Sequence, residues 1–350
     1  MRVSPFRPIP AGGGHLLVYI LKRLGLMVFV LWGVTLTAFL ISHTLPADPA
    51  AAVMGNNARE EQLAEFRSRY GLDQPLPVQY GLYMKGLLRG DLGTSLRTQN
   101  SITADLRQFF PATLEITLVA VVFALVIGLP LGIVAALWHG RWPDLTARIF
   151  SLLGGATPVY WLAILALTLF HERLGWLPGP GRLDSYSLPP PVHTGLVTVD
   201  ALLAGDREVF VDALRHMILP GLVLGAYSAA LLTRMTRSAL LEVLSQDYIR
   251  TARAKGLKRS RVIAKHALRN AALPLLTVFG GLFGGLLTGA VLTETIFSWP
   301  GIGGYATTSA ISLDFPAVMG VTLVAGLAYS VVNLLVDLAY AFFDPRISYQ

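Results

Sequence analysis

The amino-acid sequence predicts an all-α integral membrane protein with six transmembrane helices and a small polar domain outside the membrane after the first helix. Three observations support this fold class. Apolar residues make up 53% of the 350 residues and charged residues only 14%, against roughly 25% charged in ordinary globular proteins. Six apolar stretches are long enough to cross a hydrocarbon core about 30 Å thick. The basic residues concentrate in one loop, as expected for a cytoplasmic loop.

The apolar stretches set the order of the elements, because a membrane-spanning helix needs about 20 predominantly apolar residues. The fourth stretch is the shortest, since its apolar run stops at Arg234. The predicted spans are 16–42, 112–138, 149–170, 217–233, 272–297 and 317–343. The remaining segments are a disordered leader (1–15), an outer domain (43–111), an outer loop (171–216), a second large loop (234–271) and a tail (344–350).

The charge pattern predicts the orientation of the spans. Between residues 234 and 270 there are ten basic and only two acidic residues, whereas 44–110 carries seven of each. Basic loops stay in the cytoplasm, so an even number of spans places both termini there and 44–110 outside. The net charge of +7 therefore reflects membrane topology and does not indicate nucleic-acid binding.

The sequence carries no motif for catalysis. Cysteine is absent, and the chain has no G-x-x-x-x-G-K-[ST] phosphate loop, no H-E-x-x-H metal motif and no G-x-S-x-G nucleophile motif. The segment Gly301-Ile-Gly303-Gly304 follows a membrane span, so we interpret it as a surface turn and not as a dinucleotide loop. We expect a protein that is not an enzyme and that binds neither metal nor cofactor itself.

Four polar side chains fall inside or at the ends of predicted spans, where they are costly unless they face a bundle interior or an aqueous cavity. Each can belong to a pathway or simply join helices, and Glu115 and Glu294 can also simply lie at the membrane interface. The sequence leaves a pathway role and these alternatives about even. These residues are Glu115, Glu294, Asn333 and Asp337.

Glycines are patterned in the fifth span, where G-x-x-x-G spacings allow another helix to approach closely. They have two possible explanations: packing within the chain, or a subunit interface or moving gate. The sequence does not distinguish between the two. The candidate gate residues are Gly281 and Gly285, within the set 280, 281, 284, 285 and 289.

The loop 234–271 is the most informative segment. Its residues 247–256 predict a short surface helix, with Asp247 as the N-cap, Lys255 favourable to the helix dipole and Gly256 as the C-terminal stop. A second helix is expected from Ser260 to residue 270, with re-entry into the membrane at Pro274. Small residues among the cations favour a docking element for another protein over a loop that lies on anionic lipid.

These residues resemble a known family. Tyr248-Ile-Arg-Thr-Ala-Arg-Ala-Lys-Gly-Leu257, with His266-Ala-Leu-Arg-Asn270 and Pro274, resembles the coupling loop of ABC importer permeases of the dipeptide/oligopeptide/nickel branch, and B-type dipeptide permease subunits are most similar. Further matching segments lie in order along the chain. They are Gly71-Leu-Asp-Gln-Pro-Leu-Pro77, Arg89-Gly-Asp-Leu-Gly-Thr-Ser95, Arg234-Met-Thr-Arg-Ser238, Glu294-Thr-Ile-Phe-Ser-Trp-Pro-Gly-Ile-Gly303 and Asp344-Pro-Arg-Ile347. Where the wider importer class has Glu-Ala-Ala, this chain has Arg250-Thr251-Ala252.

The resemblance implies a type I importer fold in the bacterial inner membrane. It implies a homologous second permease subunit, two cytoplasmic ABC ATPases that bind ATP and Mg, and an extracytoplasmic binding protein that lands on 44–110. Closure of the ATPases would move 247–256 as a rigid lever and shift spans four and five. The implied ATPase-coupling residues are Asp247, Tyr248, Arg250, Thr251, Ala252, Arg253, Ala254, Lys255 and Gly256.

The substrate stays open among di- or tripeptides, longer peptides, glutathione, haem and a nickel chelate. A proton-coupled transporter is an alternative of another class, in which Glu294 and Asp337 would form an acidic relay. A membrane-embedded enzyme is the third alternative, and the absence of a catalytic motif counts against it.

Overall fold

The computed structural model describes residues 13–44, 50, 59–69, 71 and 73–343. The predicted leader (except 13–15), the predicted tail and part of the predicted outer domain therefore lie outside the described residues. Within the described part, regular structure is helical apart from one isolated antiparallel bridge between Thr94 and Ser101.

Thirteen described helices follow one another along the chain, and we number them in order. Those before residue 175 are α1 (Gly13–Thr44), α2 (Glu60–Arg69), α3 (Leu76–Leu87), α4 (Ile102–Leu137), α5 (Trp142–Ala156) and α6 (Val159–Arg173). The later ones are α7 (Val197–Leu203), α8 (Arg207–Leu244), α9 (Asp247–Ala254), α10 (Arg259–Arg261, then Val262–Leu268 and Arg269–Gly289 without a break), α11 (Val291–Ile296), α12 (Ile302–Ile311) and α13 (Phe315–Phe343). The segments Ala124–Gly128, Leu167–Arg173 and Val262–Leu268 are π-helical.

The long helix α8 forms the centre of the bundle. It packs against α4 along most of its length and also contacts α5, α6, α7 and α10. The largest apolar cluster lies between α4, α8 and α10 and includes Ile116, Met217 and Leu286. A movement of α8 therefore has to be accommodated by the helices packed against it, α4, α5, α6, α7 and α10.

Glycines allow α4 and α8 to touch along their backbones. A Cβ on Gly225 would lie 2.6 Å from the Ala120 carbonyl oxygen, and one on Gly132 would lie 2.5 Å from the Thr236 side chain. Gly128 and Gly221 meet the opposite helix in the same way. This close approach maximises packing contacts, which hold membrane helices together in the absence of a hydrophobic driving force.

The N-terminal helix α1 lies at the edge of the bundle. It packs mainly against α13, which in turn packs against α10. Large apolar side chains such as Val28 and Phe29 are exposed on α1. Such a surface suits a bilayer environment, where lipid covers the apolar face.

The predicted third span, 149–170, is not one continuous helix. The chain bends by 103° between α5 and α6, because Thr157 and Pro158 both adopt extended backbone conformations. Proline disfavours helical geometry in the preceding residue and lacks the N–H that would continue the helix. Among the described helices, five are long and apolar enough to span a membrane, and the bent α5–α6 pair makes a sixth if it counts as one span.

The fourth and fifth spans belong to longer helices than the hydropathy pattern indicates. Helix α8 continues past Arg234 to Leu244, since charged residues end an apolar run without ending a helix. The separate helix expected at 260–270 is instead the first part of α10, and Pro274 lies inside that helix. The loop after α9 is correspondingly short.

Candidate functional site

The short helix α9 occupies most of the predicted docking segment. It begins at Asp247 and ends at Ala254, and Gly256 follows with φ +74°, a left-handed conformation that suits glycine at a helix end. Asp247 is not the N-cap, because Gln246 holds the extended backbone position and Asp247 is already helical. The Asp247 carboxylate lies 3.3 Å from Arg250 instead.

The inner face of α9 is anchored on its own chain. Ile249 and Ala252 are buried in an apolar cluster with Ala136 of α4, Leu240 of α8 and Val262 of α10. Ala252, which the sequence predicted among the docking residues, therefore packs against its own chain. Its small side chain fits against the helical bundle itself, and the cluster connects α9 to the ends of three helices.

The outer face of α9 and the turn after it are exposed and carry a positive charge. The Thr251 hydroxyl donates to the Asp247 carbonyl at 3.0 Å, which keeps it within the helix. Partial burial raises the pKa of the Tyr248 phenol. The exposed residues of the predicted set are Asp247, Tyr248, Arg250, Thr251, Arg253, Ala254, Lys255 and Gly256.

A cavity of about 540 Å³ lies between α8 and α10, beside the start of α6. Polar groups in its wall come from Tyr227, Ser228 and Thr277, and none of the described lining residues is charged. The buried Ser228 hydroxyl has no hydrogen-bond partner among the described residues. Gly281 and Gly285 also line this cavity.

The glycines of α10 divide between two faces. A Cβ on Gly280 would lie 2.6 Å from the Val336 side chain, and one on Gly284 would collide with Tyr329, so these two glycines pack against α13. A Cβ on Gly281 or Gly285 would have no neighbour within 4 Å. Packing within the chain thus explains the first pair, whereas the second pair borders open space.

The buried Glu294 carboxylate holds the turn after α11 against α4. It accepts hydrogen bonds from the Thr113 hydroxyl at 2.5 Å and from the Gly304 N–H at 2.9 Å. A side chain on Gly301 would collide with this carboxylate. Glu294 does not line the described cavity, and its contacts are those of a residue that joins two segments.

Glu115 fastens the outer loop to α4 in a similar way. Its carboxylate accepts from Arg182 at 2.5 Å and from the Thr198 N–H and hydroxyl at 3.0 and 2.9 Å. The Arg182 guanidinium also lies 5.8 Å from the centre of the Trp299 ring. Of the alternatives for Glu115, these contacts favour a structural role.

The two polar candidates on α13 also lie outside the cavity wall. Asp337 pairs with Arg23 of α1 across 3.0 Å and thereby joins the first and last helices. Asn333 is half-buried on the same helix. Of the five predicted pathway residues, the structure therefore places Gly281 and Gly285 at the cavity and separates them from Glu294, Asn333 and Asp337.

Comparison with known families finds matches over nearly the whole chain. Residues 128–349 match the family described as "Binding-protein-dependent transport system inner membrane component". Residues 16–117 match the N-terminal component of such membrane proteins. The chain belongs to this family. It is therefore a non-catalytic permease component of an ABC transport system.

Individual permeases are similar over their full length. A probable D,D-dipeptide permease of Escherichia coli is 50% identical, over 92% of this chain and 94% of the relative. A di/tripeptide permease of Pseudomonas aeruginosa is 46% identical over 96% and 100%, and a glutathione permease of Salmonella choleraesuis is 36% identical over the same shares. Among solved structures, the inward-facing MetNI methionine transporter covers 68% of this chain and 96% of its own, with TM-score 0.47 and 16% identity.

One ion pair of the permease, with a buried carboxylate, was not predicted from the sequence. Asp144, near the start of α5, receives a two-pronged contact from Arg237 of α8 at 2.6 and 3.0 Å. The two residues are 93 positions apart, and a single sequence carries no signal for such a pairing. Among the described residues, no group of three or more His, Asp or Glu side chains could hold a metal ion.

Proposed function

We propose that this permease is one of two homologous membrane subunits in an ATP-driven, binding-protein-dependent importer of di- and tripeptides. The identities to dipeptide and di/tripeptide permeases, 50% and 46%, exceed the 36% identity to a glutathione permease. The full-length matches support transfer of the substrate class. The membrane is the bacterial inner membrane, with both termini in the cytoplasm.

The observation that carries the proposed coupling role is the division of α9 into two faces. Ile249 and Ala252 fix the helix to α4, α8 and α10, while Arg250, Arg253 and Lys255 extend from the protein. A rigid, anchored helix with an exposed cationic face can seat in an acidic groove of a partner. We assign that partner as a cytoplasmic ABC ATPase, and a second copy would dock on the other permease subunit.

Coupling would follow from the different affinity of the ATPases for two states of the transporter. ATP and Mg bind to the ATPase subunits. When these subunits close, they displace α9, and α9 carries the ends of α8 and α10 with it because its inner face is packed between them. The separation of α8 and α10 then controls access to the cavity.

We assign the cavity between α8 and α10 to the translocation pathway. Its volume of about 540 Å³ lies within the range of small-molecule sites, roughly 300–1,000 Å³. Uncharged walls with hydroxyl groups from Tyr227 and Ser228 suit the passage of varied peptides, because they offer hydrogen bonds to amide groups without binding one side chain tightly. Substrate selection would then rest with the binding protein, which lands on the 44–110 segment.

The membership of the chain in a binding-protein-dependent family argues against the proton-coupled alternative. The contacts of its two acidic candidates support this conclusion. Glu294 is hydrogen bonded to Thr113 and the Gly304 N–H, and Asp337 is paired with Arg23. Neither side chain lines the described cavity that a relay would have to reach.

The direct experiment is affinity purification of the tagged chain from its native membrane, with and without an ATP analogue, followed by mass spectrometry. We expect a second six-span permease and P-loop ATPases. The double variant Arg253→Glu/Lys255→Glu should lose the ATPases and keep the second permease, whereas Arg67→Glu on α2 should keep both. Recovery of the chain alone, in a detergent that keeps known complexes intact, would contradict the proposal.

A further inference from the structure

An ion pair with a buried carboxylate lies beside the apolar cluster that anchors α9. The Asp144 side chain is only 1% exposed, and Arg237 approaches both of its carboxylate oxygens, with Nε at 2.6 Å and Nη2 at 3.0 Å. The Gly140 N–H donates to the same carboxylate at 3.0 Å. The carboxylate thus accepts both charge-assisted and neutral hydrogen bonds, which offset the cost of burying it.

The position of this pair connects it to α9. Gly140 belongs to the turn between α4 and α5, only four residues after Ala136, which packs in the α9 cluster. Arg237 precedes Ala239 and Leu240, which are the buried α8 members of the same cluster. Asp144 therefore ties together the two helix ends on which the inner face of α9 rests.

We infer that Asp144 and Arg237 are positioning residues for energy coupling: they make the ends of α4 and α8 one rigid body, so that a displacement of α9 moves α8 and is not absorbed by separation of the two helices. A two-pronged Arg–carboxylate contact suits this role because it fixes orientation as well as distance. The inference rests on the proposed function, since it requires that ATPases displace α9.

A merely structural pair would change folding or assembly and would leave coupling unaltered in the molecules that assemble. The readout is therefore the number of ATP molecules hydrolysed per peptide imported. It is measured in proteoliposomes that contain the complete complex and its binding protein, with radiolabelled di-alanine as the probe. Basal ATP hydrolysis and recovery of the assembled complex are recorded in parallel.

We expect Asp144→Asn to raise the ATP used per peptide by about fivefold or more, which is the lower end of typical coupling between sites. Arg237→Lys should cause a smaller rise, because lysine keeps the charge but cannot make the two-pronged contact. The matched control is Asp337→Asn, which breaks the 3.0 Å pair between α1 and α13 away from α9. That variant should couple normally.

Three results would overturn the inference. They are an unchanged coupling ratio in assembled Asp144→Asn, an equal rise in Asp337→Asn, and failure of both Asp144→Asn and Arg237→Lys to assemble, which would assign the pair to folding. The failure of the proposed function has a different signature. In that case no ATPase purifies with the unaltered chain.

Discussion

On the side of α8 that faces α4, glycines let two backbones touch, whereas on the side that faces α10 glycines border an open cavity. Gly225 meets the Ala120 carbonyl so closely that a Cβ would lie 2.6 Å from it. Gly281 and Gly285 leave space for a side chain and line a volume of about 540 Å³. The same four-residue spacing thus builds a fixed interface on one side and leaves room for movement on the other.

The difference suggests a division of work within the bundle. Helices α4 and α8 form one rigid unit that moves as a whole, and α9 packs on its end through Ile249 and Ala252. Helix α10 is held to α13 by Gly280 and Gly284 but leaves space toward α8. In our account, ATP-driven movement widens or narrows the space between α8 and α10 and leaves the α4–α8 interface unchanged.

The largest expected effect comes from filling the fixed interface. Gly225→Val should destabilise the chain by about 3 kcal/mol, the upper end of typical overpacking costs, because the colliding atom belongs to the α4 backbone and cannot rotate away. The yield and thermal unfolding of the purified protein in detergent measure this effect. A Gly225→Val protein as stable as the original would show that α4 and α8 can separate freely.

Filling the open side should affect transport and not folding. We expect Gly281→Leu to lower peptide uptake by about tenfold, equivalent to about 1.4 kcal/mol, because leucine occupies the cavity. Leucine is a better helix former than glycine, which lies roughly 0.8–1 kcal/mol below alanine, so the variant should be at least as stable as the original. The control is Gly284→Leu in the same helix, which collides with the Tyr329 ring and should lower the stability by about 1–3 kcal/mol. Normal uptake by a folded Gly281→Leu protein would contradict a pathway at this site.

The two faces of α9 provide a sharper test of whether α9 is anchored to α4 and α8. Ala252→Leu should destabilise the chain by about 1–3 kcal/mol, since Ala252 is packed against α4 and α8. Ala254→Leu makes the same change on the exposed face and should alter stability by less than about 0.5 kcal/mol. The thermal unfolding temperatures of the two variants of the isolated chain are compared. Equal shifts in unfolding temperature would mean that the inner face of α9 is not anchored on the bundle.

The smallest effect is expected at the other end of α8, where α7 packs against it. Burial opposes ionisation of Asp200, but hydrogen bonds from the Thr194 N–H and hydroxyl and from the Gly195 N–H outweigh burial and lower its pKa. A lowered pKa means that the stabilisation is present above the unfolded value of about 3.9 and is lost as the pH falls through the folded value.

Asp200→Asn should therefore lower the free energy of unfolding by about 1 kcal/mol at neutral pH. This difference in stability from the original protein should shrink as the pH falls below about 3.9. Unfolding of both proteins, measured across this pH range, shows the direction in which their stability difference changes. A difference that grows with acidification would show that the carboxylate is not held in its ionised form.

Hydropathy predicted the membrane helices well, because the bilayer imposes a length and an apolar composition that a single sequence displays. It failed at Thr157–Pro158, where local backbone preference breaks an apolar stretch. It also missed the true ends of α8, since a polar extension outside the bilayer leaves the helix intact.

The candidate site was predictable only in part. The helix after Gln246 and its stop at Gly256 follow local rules of helix termination. The burial of Ala252 and the pairing of Asp144 with Arg237 depend on which helices meet in space. The two uses of glycine are likewise identical in spacing, and only the neighbouring helix distinguishes them.

The most direct test of the account is a pair of distances measured by electron paramagnetic resonance in the assembled complex. The chain has no cysteine of its own, so nitroxide labels can be placed on α8 and α10 (Tyr227→Cys with Leu282→Cys) and, separately, on α4 and α8 (Val122→Cys with Ile218→Cys). Between the nucleotide-free and ATP-trapped states, we predict that the α8–α10 distance changes and the α4–α8 distance does not. A constant α8–α10 distance, or a change across α4–α8, would contradict the account.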